Sequence, residues 1–266
     1  MTASTLHHEL LLPTGGEASG LTLMLSHALG CDLRMWDGLT AHLRGQGHRV
    51  LRYDQRGHGR SAALPGPYTM AMLADDAAAL IDRLGVGPVV WVGLSMGGMV
   101  GQELGLRHLR SVRALALANT TSGYPPEAQA GWAQRIEGIR QGGLEAVVDG
   151  ALQRWFHEGF RAVHPGTVAL WRERVLACDA AGYIACCEAI SQVDTTRRLP
   201  AIAVPTLVIA GELDAGTPPA MAERIAAAVP SAKLVVLHEA SHLSVLEQPA
   251  AFAATLDAWL AELPRA

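Results

Sequence analysis

The segment from Val89 to Gly105 reads VVWVGLSMGGMVGQELG and forces an abrupt change of backbone type. Val89, Val90, Trp91 and Val92 are strand formers, and a helical pattern starts just beyond them with no linker between. Only Gly93, Leu94, Ser95, Met96 and Gly97 remain to make the turn. A strand that runs straight into a helix needs residues without side chains where the two segments cross. Such a turn strains the backbone of its central residue and lifts that side chain above the sheet edge. Gly-x-Ser-x-Gly alone arises easily in a glycine-rich chain; the strand–turn–helix setting is what makes Ser95 a candidate nucleophile.

The rest of the chain repeats this alternation. Strand-like runs fall at Leu6–Leu12, Leu21–His27, Arg49–Asp54, Val89–Gly93, Val112–Ala118, Thr206–Ala210 and Lys233–Leu237. Most are apolar on both faces, as strands covered by helices on two sides should be. Apolar spacing predicts a helix over Met72–Leu84, stopped by Gly85. Thr217-Pro218-Pro219 reads as an N-cap and first turn of a helix reaching about Val229, and Pro249 opens the last helix. Between about Gly123 and Pro200 the strands stop, and helical patterns follow one another at Ala128–Gln141, Leu144–Phe156, Val168–Ala177 and Gly182–Ile190. The expected fold is α/β, a mostly parallel sheet flanked by helices. Residues 1–122 and 201–266 form its core, and a helical cap at 123–200 lies over the carboxyl edge, where such sheets bind ligands.

A serine nucleophile needs a base, and eleven histidines are available. His242 lies in the loop HEASHLSVLEQP, after the last strand and before the last helix, and so meets the same sheet edge as Ser95. His238 sits too early, at the strand end. The base in turn needs a carboxylate to hold its tautomer and its charge. Asp214, in GELDAGTPP after TLVIAG, is at that edge, with Glu212 as a nearby rival; Asn119-Thr120-Thr121 ends the strand Val112–Ala118 without offering an acid. Two backbone donors should face the developing oxyanion. Met96 follows the nucleophile, and Leu29 lies in the loop SHALGCDLRMW after an early strand. His27 is expected to shape that loop, and Cys31 to be a small buried hydrophobe. YDQRGHGRS has no metal-ligand spacing and reads as a structural turn with Asp54 and Arg56 paired.

Composition narrows the classes further. A net charge of −4 with no block of like charge gives no nucleic-acid surface. No apolar run is long enough to span a membrane, and the N-terminal stretch lacks the basic start and apolar core of a signal peptide. Cys31, Cys178, Cys186 and Cys187 have no metal-ligand spacing, and the adjacent pair makes a poor disulfide, so the expected setting is a reducing cytoplasm. GGEASG is followed by no P-loop lysine and is not a phosphate loop. No cofactor or metal is called for.

The order Ser95, Asp214, His242, with GLSMGGMVGQ, RYDQRGHGRS and HLSVLEQP, resembles the α/β-hydrolase superfamily. More narrowly, LGCDLRMWD, VLRYDQRGHG, GPYTM, LANT, RWF and GYIACCEAI are similar to segments of 3-oxoadipate enol-lactonases, from about Leu23 onward. The resemblance implies a cytoplasmic, cofactor-free lactone hydrolase of aromatic-compound catabolism, with Ser95, Asp214 and His242 as its triad. SHALGCD, DQRGHG and LSVLEQP depart from that family's usual forms and leave the exact substrate open. A lactone of this kind keeps one free carboxylate. Arg135 and Arg154 are then candidate partners for it, and Trp132 and Trp155 candidate apolar walls. Two rivals stand beside this reading: a carboxylesterase, lactonase or acyl transferase for another small substrate, and a ligand receptor on the same fold with little turnover. The oligomeric state is not legible.

Overall fold

Strands whose every residue is apolar or small have no face to offer water, so they must be covered from both sides. In the computed structural model, which describes residues 6–15 and 20–264, two of them are buried along their whole length. Seven strands form the sheet: β1 (His8–Leu11), β2 (Thr22–Ser26), β3 (Arg49–Tyr53), β4 (Val89–Leu94), β5 (Val112–Ala118), β6 (Thr206–Gly211) and β7 (Ala232–Leu237). Their spatial order is β1-β3-β2-β4-β5-β6-β7. β1 runs antiparallel to β3, and all other pairs are parallel. This is the α/β-hydrolase layout expected above. The first strand is shorter than its Leu6–Leu12 run. Residues 1–5 and 16–19, which include the start of the chain and most of GGEASG, lie outside the described residues.

The helices are α1 (Asp37–Gly45), α2 (Met70–Leu84), α3 (Met96–Arg107), α4 (Ala128–Gly142), α5 (Glu145–Trp155), α6 (Glu158–Val163), α7 (Pro165–Leu176), α8 (Ala180–Ser191), α9 (Pro219–Ala228), α10 (Ser244–Glu247) and α11 (Pro249–Leu260). α2 starts where Thr69 Oγ1 accepts the Met72 N–H and stops at Gly85 in the left-handed region, φ 61°. α4 to α8 all fall between β5 and β6, so this stretch leaves the sheet and returns to it. α1, α6 and α10 are additions to the sequence expectation.

The topology decides where chemistry can sit. From β2 the chain moves to β3 on one side, then crosses to β4 on the other, so the loops leaving β2 and β4 diverge at their carboxyl ends. That switch point opens a crevice beside the register pair Ser26↔Gly93. The β2 loop carrying Leu29 and the β4 turn carrying Ser95 therefore start side by side.

Candidate active site

Ser95 stands at the tip of β4 with φ 56° and ψ −113°, a strained conformation for a residue with a side chain. Its N–H donates to the Ala118 carbonyl at 2.8 Å, and Trp91 Nε1 donates to the Gly97 carbonyl at 3.0 Å, so neighbouring strand residues hold the turn shut. A β-carbon on Gly97 would overlap the Ser26 carbonyl, and one on Gly93 would overlap the carbonyl of Gly97. The glycines at both positions are thus required by close approach.

His242, Asp214 and Ser95 meet in one line. His242 Nε2 lies 2.8 Å from Ser95 Oγ, and His242 Nδ1 lies 2.8 Å from Asp214 Oδ2. All three residues are buried. With the carboxylate accepting from Nδ1–H, Nε2 is left as an acceptor facing the serine hydroxyl. Asp214 is densely bound. Its Oδ1 accepts the N–H groups of Gly216 at 2.8 Å and Thr217 at 2.9 Å. Its Oδ2 also accepts the Thr217 hydroxyl at 2.8 Å and the Asn119 amide at 3.0 Å. Burial pushes this carboxyl up, but the facing His242 and the bonds from Thr217 and Asn119 outweigh it and hold Asp214 below its ordinary value. The two rival residues are elsewhere engaged: His238 Nδ1 and Glu212 Oε2 lie 2.6 Å apart in an exposed pair.

Thr217 is a correction to the sequence reading. It does not cap a helix; α9 begins at Pro219 without a side-chain cap, and the hydroxyl is spent on Asp214. In the sequence Asn119 stands out only as a strand end that offers no acid. It has φ 46°, its Nδ2 donates to Asp214 and to the Ser241 carbonyl at 3.0 Å, and its Oδ1 accepts from Ser244 at 2.5 Å. The asparagine thus fastens the acid to the loop of His242. The available signal was a polar residue suited to the left-handed region at a strand's carboxyl end.

The loop after β2 leaves the Leu29 amide free. Ala28 N–H faces Met35 Sδ at 3.4 Å, Gly30 N–H donates to His58 Nε2 at 2.9 Å, and Cys31 N–H donates to the Ala28 carbonyl at 3.1 Å. The Leu29 N–H has no partner among the described residues, nor has that of Met96 at the first position of α3. Two histidines hold this loop as neutral connectors. His27 Nε2 accepts the Gln55 N–H at 2.8 Å, which leaves Nδ1 to donate to the Ala28 carbonyl. The reading of YDQRGHGRS as a turn needs amending, because Asp54 and Arg56 are not paired. Arg56 is bidentate with Asp76, at 2.7 and 2.8 Å, while Asp54 accepts from the Leu33 and Arg60 amides. Burial keeps the Cys31 thiol far above its ordinary value, a neutral group beside the loop.

Burial, then the nearby His27, push the His58 imidazole down to about 3. An unfolded histidine takes a proton near pH ~6.5, which folded His58 refuses. Its contribution to stability is therefore complete above the unfolded value and is lost as pH falls from there toward about 3. His58→Gln should flatten the acid loss of stability by about 1 kcal/mol per pH unit in that window. Denaturant titrations of both proteins at neutral and mildly acid pH check this; parallel losses would refute it.

A cavity of about 640 Å³ opens over Ser95 and His242. Leu29 borders it, and all four of the candidate substrate-binding residues singled out from sequence (Trp132, Arg135, Arg154 and Trp155) line it. The Arg135 guanidinium stacks over the Trp132 ring, 4.9 Å from its centre. Among the described residues neither Arg135 nor Arg154 is in a side-chain ion pair. Tyr124, which no sequence motif singles out, packs edge-on against Trp132 and lines the same space. No group of histidine, cysteine and carboxylate side chains suited to a metal occurs among the described residues. No helix there is long and apolar enough to cross a membrane.

A sequence profile of the alpha/beta hydrolase family matches residues 23–255. The chain is 37% identical to 3-oxoadipate enol-lactonase 2 of Acinetobacter baylyi over 239 residues, 90% of this chain and 88% of that one. Among solved structures, an enol-lactonase from Burkholderia xenovorans LB400 superposes with a TM-score of 0.91 at 37% identity, covering 98% of this chain and 99% of that one. A thermophilic esterase from Thermogutta terrifontis, solved with malate bound, superposes with a TM-score of 0.89 at 30% identity, covering 98% and 97% of the two chains.

Proposed function

The chain belongs to the alpha/beta hydrolase family, and from that premise we propose that it opens a small lactone bearing a free carboxylate, 3-oxoadipate enol-lactone foremost, through an acyl-enzyme on Ser95. The observation that carries the reading is the hydrogen-bonded line Ser95–His242–Asp214 at the floor of a cavity that also holds two arginines without ion-pair partners among the described residues. His242 Nε2 takes the hydroxyl proton as Ser95 Oγ attacks the lactone carbonyl, and the Leu29 and Met96 amides receive the oxyanion. Collapse breaks the ring C–O bond. The enolate that leaves is a good leaving group, takes the proton back from His242, and stays tethered to the acyl chain. Water, deprotonated by His242, then attacks the ester carbon; Ser95 departs with the returned proton, and the freed enol relaxes to the ketone. The steps use only this chain's side chains, amides and water.

Residues 123–200 act in this reading as a cap that places Arg135 and Arg154 over the reacting carbonyl, with Trp132 and Trp155 as apolar walls. A guanidinium facing a carboxylate in a partly dry pocket binds far better than one in water. Hydrolysis of the enol-lactone measured beside a short neutral p-nitrophenyl ester tests the assignment. The lactone should show the higher kcat/KM; activity on the neutral ester alone would make the protein an esterase for another substrate, and silence on both would favour a receptor. Arg135→Met and Arg154→Met should each raise KM for the lactone roughly tenfold while leaving the neutral ester within about twofold. Equal effects on the two substrates would remove the arginines from carboxylate recognition.

A further inference from the structure

One buried carboxylate joins the loop of His242 to the segment that carries Arg154 and Trp155. Glu247 is the last residue of α10 and is buried. Its Oε1 accepts the His157 N–H at 2.9 Å, just past the end of α5, and its Oε2 accepts the Ser241 N–H at 2.5 Å. Two further bonds run the same way: Leu243 N–H donates to the Trp155 carbonyl at 3.1 Å, and the Ser241 hydroxyl to the Arg154 carbonyl at 3.2 Å. Both chain neighbours of His242 are thus bonded to the stretch that lines the pocket.

The choice of side chain is informative. A carboxylate offers two acceptor oxygens, one for each segment; an amide of the same shape offers one, and turns N–H toward the other donor. No lysine or arginine pairs with Glu247 among the described residues. The titratable groups facing it are His157 from the start of α6 and Asp214 from the loop after β6. Burial raises its carboxyl above the ordinary value, and the Asp214 charge pushes the same way; the His157 and Ser241 amides and the His157 ring oppose them only in part. A buried carboxylate without a counter-ion is costly to keep for packing alone.

We propose that Glu247 is a positioning residue that sets His242 and the Arg154–Trp155 wall of the pocket together, so that removing its charge disturbs catalysis and substrate binding at once. The idea rests on the reading of Ser95 and His242 as the hydrolytic pair. Protonation turns one oxygen into a hydroxyl, a far weaker acceptor for the amide that faces it. The acid limb of activity then gains one proton, on Glu247, beyond that of the general base.

The test is the pH dependence of kcat and kcat/KM for the wild type and Glu247→Gln, on the lactone and on a neutral ester, with the fold checked by circular dichroism at each pH. In the wild type, activity should fall below a one-proton line as pH is lowered. Glu247→Gln should follow a one-proton line, with kcat roughly ten- to a hundred-fold lower and a raised KM for the lactone. A one-proton limb in the wild type, or a variant with unchanged kcat and KM, would overturn the proposal, as would a variant altered only in its melting temperature. If Glu247→Gln does not fold, the wild-type limb alone decides. Ser95→Ala run alongside separates the two ideas: turnover in that control would sink the hydrolytic reading itself.

Discussion

Ser95→Ala is expected to fold normally and to lose roughly ten-thousand- to million-fold in kcat on every ester or lactone the wild type cleaves. The geometry sets this size. Ser95 Oγ is 2.8 Å from His242 Nε2, so one atom supplies both the attacking electron pair and the proton that His242 takes. Its removal leaves only what the free Leu29 and Met96 amides and the cavity can do for direct attack by water. The side chain carries little of the fold, because the turn is held by backbone: Ser95 N–H to Ala118 and the Ser95 carbonyl to the Gly98 and Met99 amides. KM should move by less than about threefold, since the loss lies in the transition state. Steady-state kinetics with a melting curve separate this outcome from a fall in activity through unfolding.

Asp214→Asn should cost roughly ten-thousand-fold in kcat, again with KM nearly unchanged. Asp214 receives five donors on two oxygens: the Gly216 and Thr217 amides, the Thr217 hydroxyl, the Asn119 side chain and His242 Nδ1. An asparagine keeps one acceptor oxygen and sets an NH2 group against donors that have nowhere to turn. If that NH2 faces His242, it accepts no Nδ1–H, and the imidazole shifts to the tautomer whose Nε2–H cannot take the serine proton. The carboxylate's depressed pKa gives stability that is present above the unfolded value and lost as pH falls through the folded one. The variant should therefore unfold with a weaker acid dependence in that range. Kinetics and denaturant titrations at several pH values measure both effects, and a variant within about tenfold of wild-type kcat would contradict the role given to Asp214.

The fold was legible because its central strands are buried on both faces and its helices carry ordinary stops, so that Val112–Ala118 matches β5 end for end. Ser95, Asp214 and His242 could be picked out because each follows a strand, and the carboxyl ends of parallel strands must share one edge. What stayed hidden acts across the sequence through single bonds. Thr217 looks like a helix cap beside two prolines, yet its hydroxyl lies closer to a carboxylate that needs it. Arg56 sits next to Asp54 in the chain but pairs with Asp76 on α2, where the bidentate geometry is available. Asn119 and Glu247 look like an ordinary strand end and an ordinary surface residue. Only the packing of β5 and α10 against the His242 loop gives them their partners. Periodicity reports which face is buried, and it is silent about such pairwise contacts.

The central claim, that Ser95 is an activated nucleophile beside an oxyanion site, is tested most directly by a fluorophosphonate. Such a reagent forms a stable phosphonyl ester with a serine whose proton is taken by a base and whose developing oxyanion is bound. Intact mass and peptide mapping should find one adduct per chain, on the peptide containing Ser95, with hydrolysis of whatever substrate the wild type cleaves lost in proportion to labelling and no adduct on Ser95→Ala. Undiminished hydrolysis by fully labelled protein, or inactivation that tracks an adduct on another residue such as Cys31, would contradict the account.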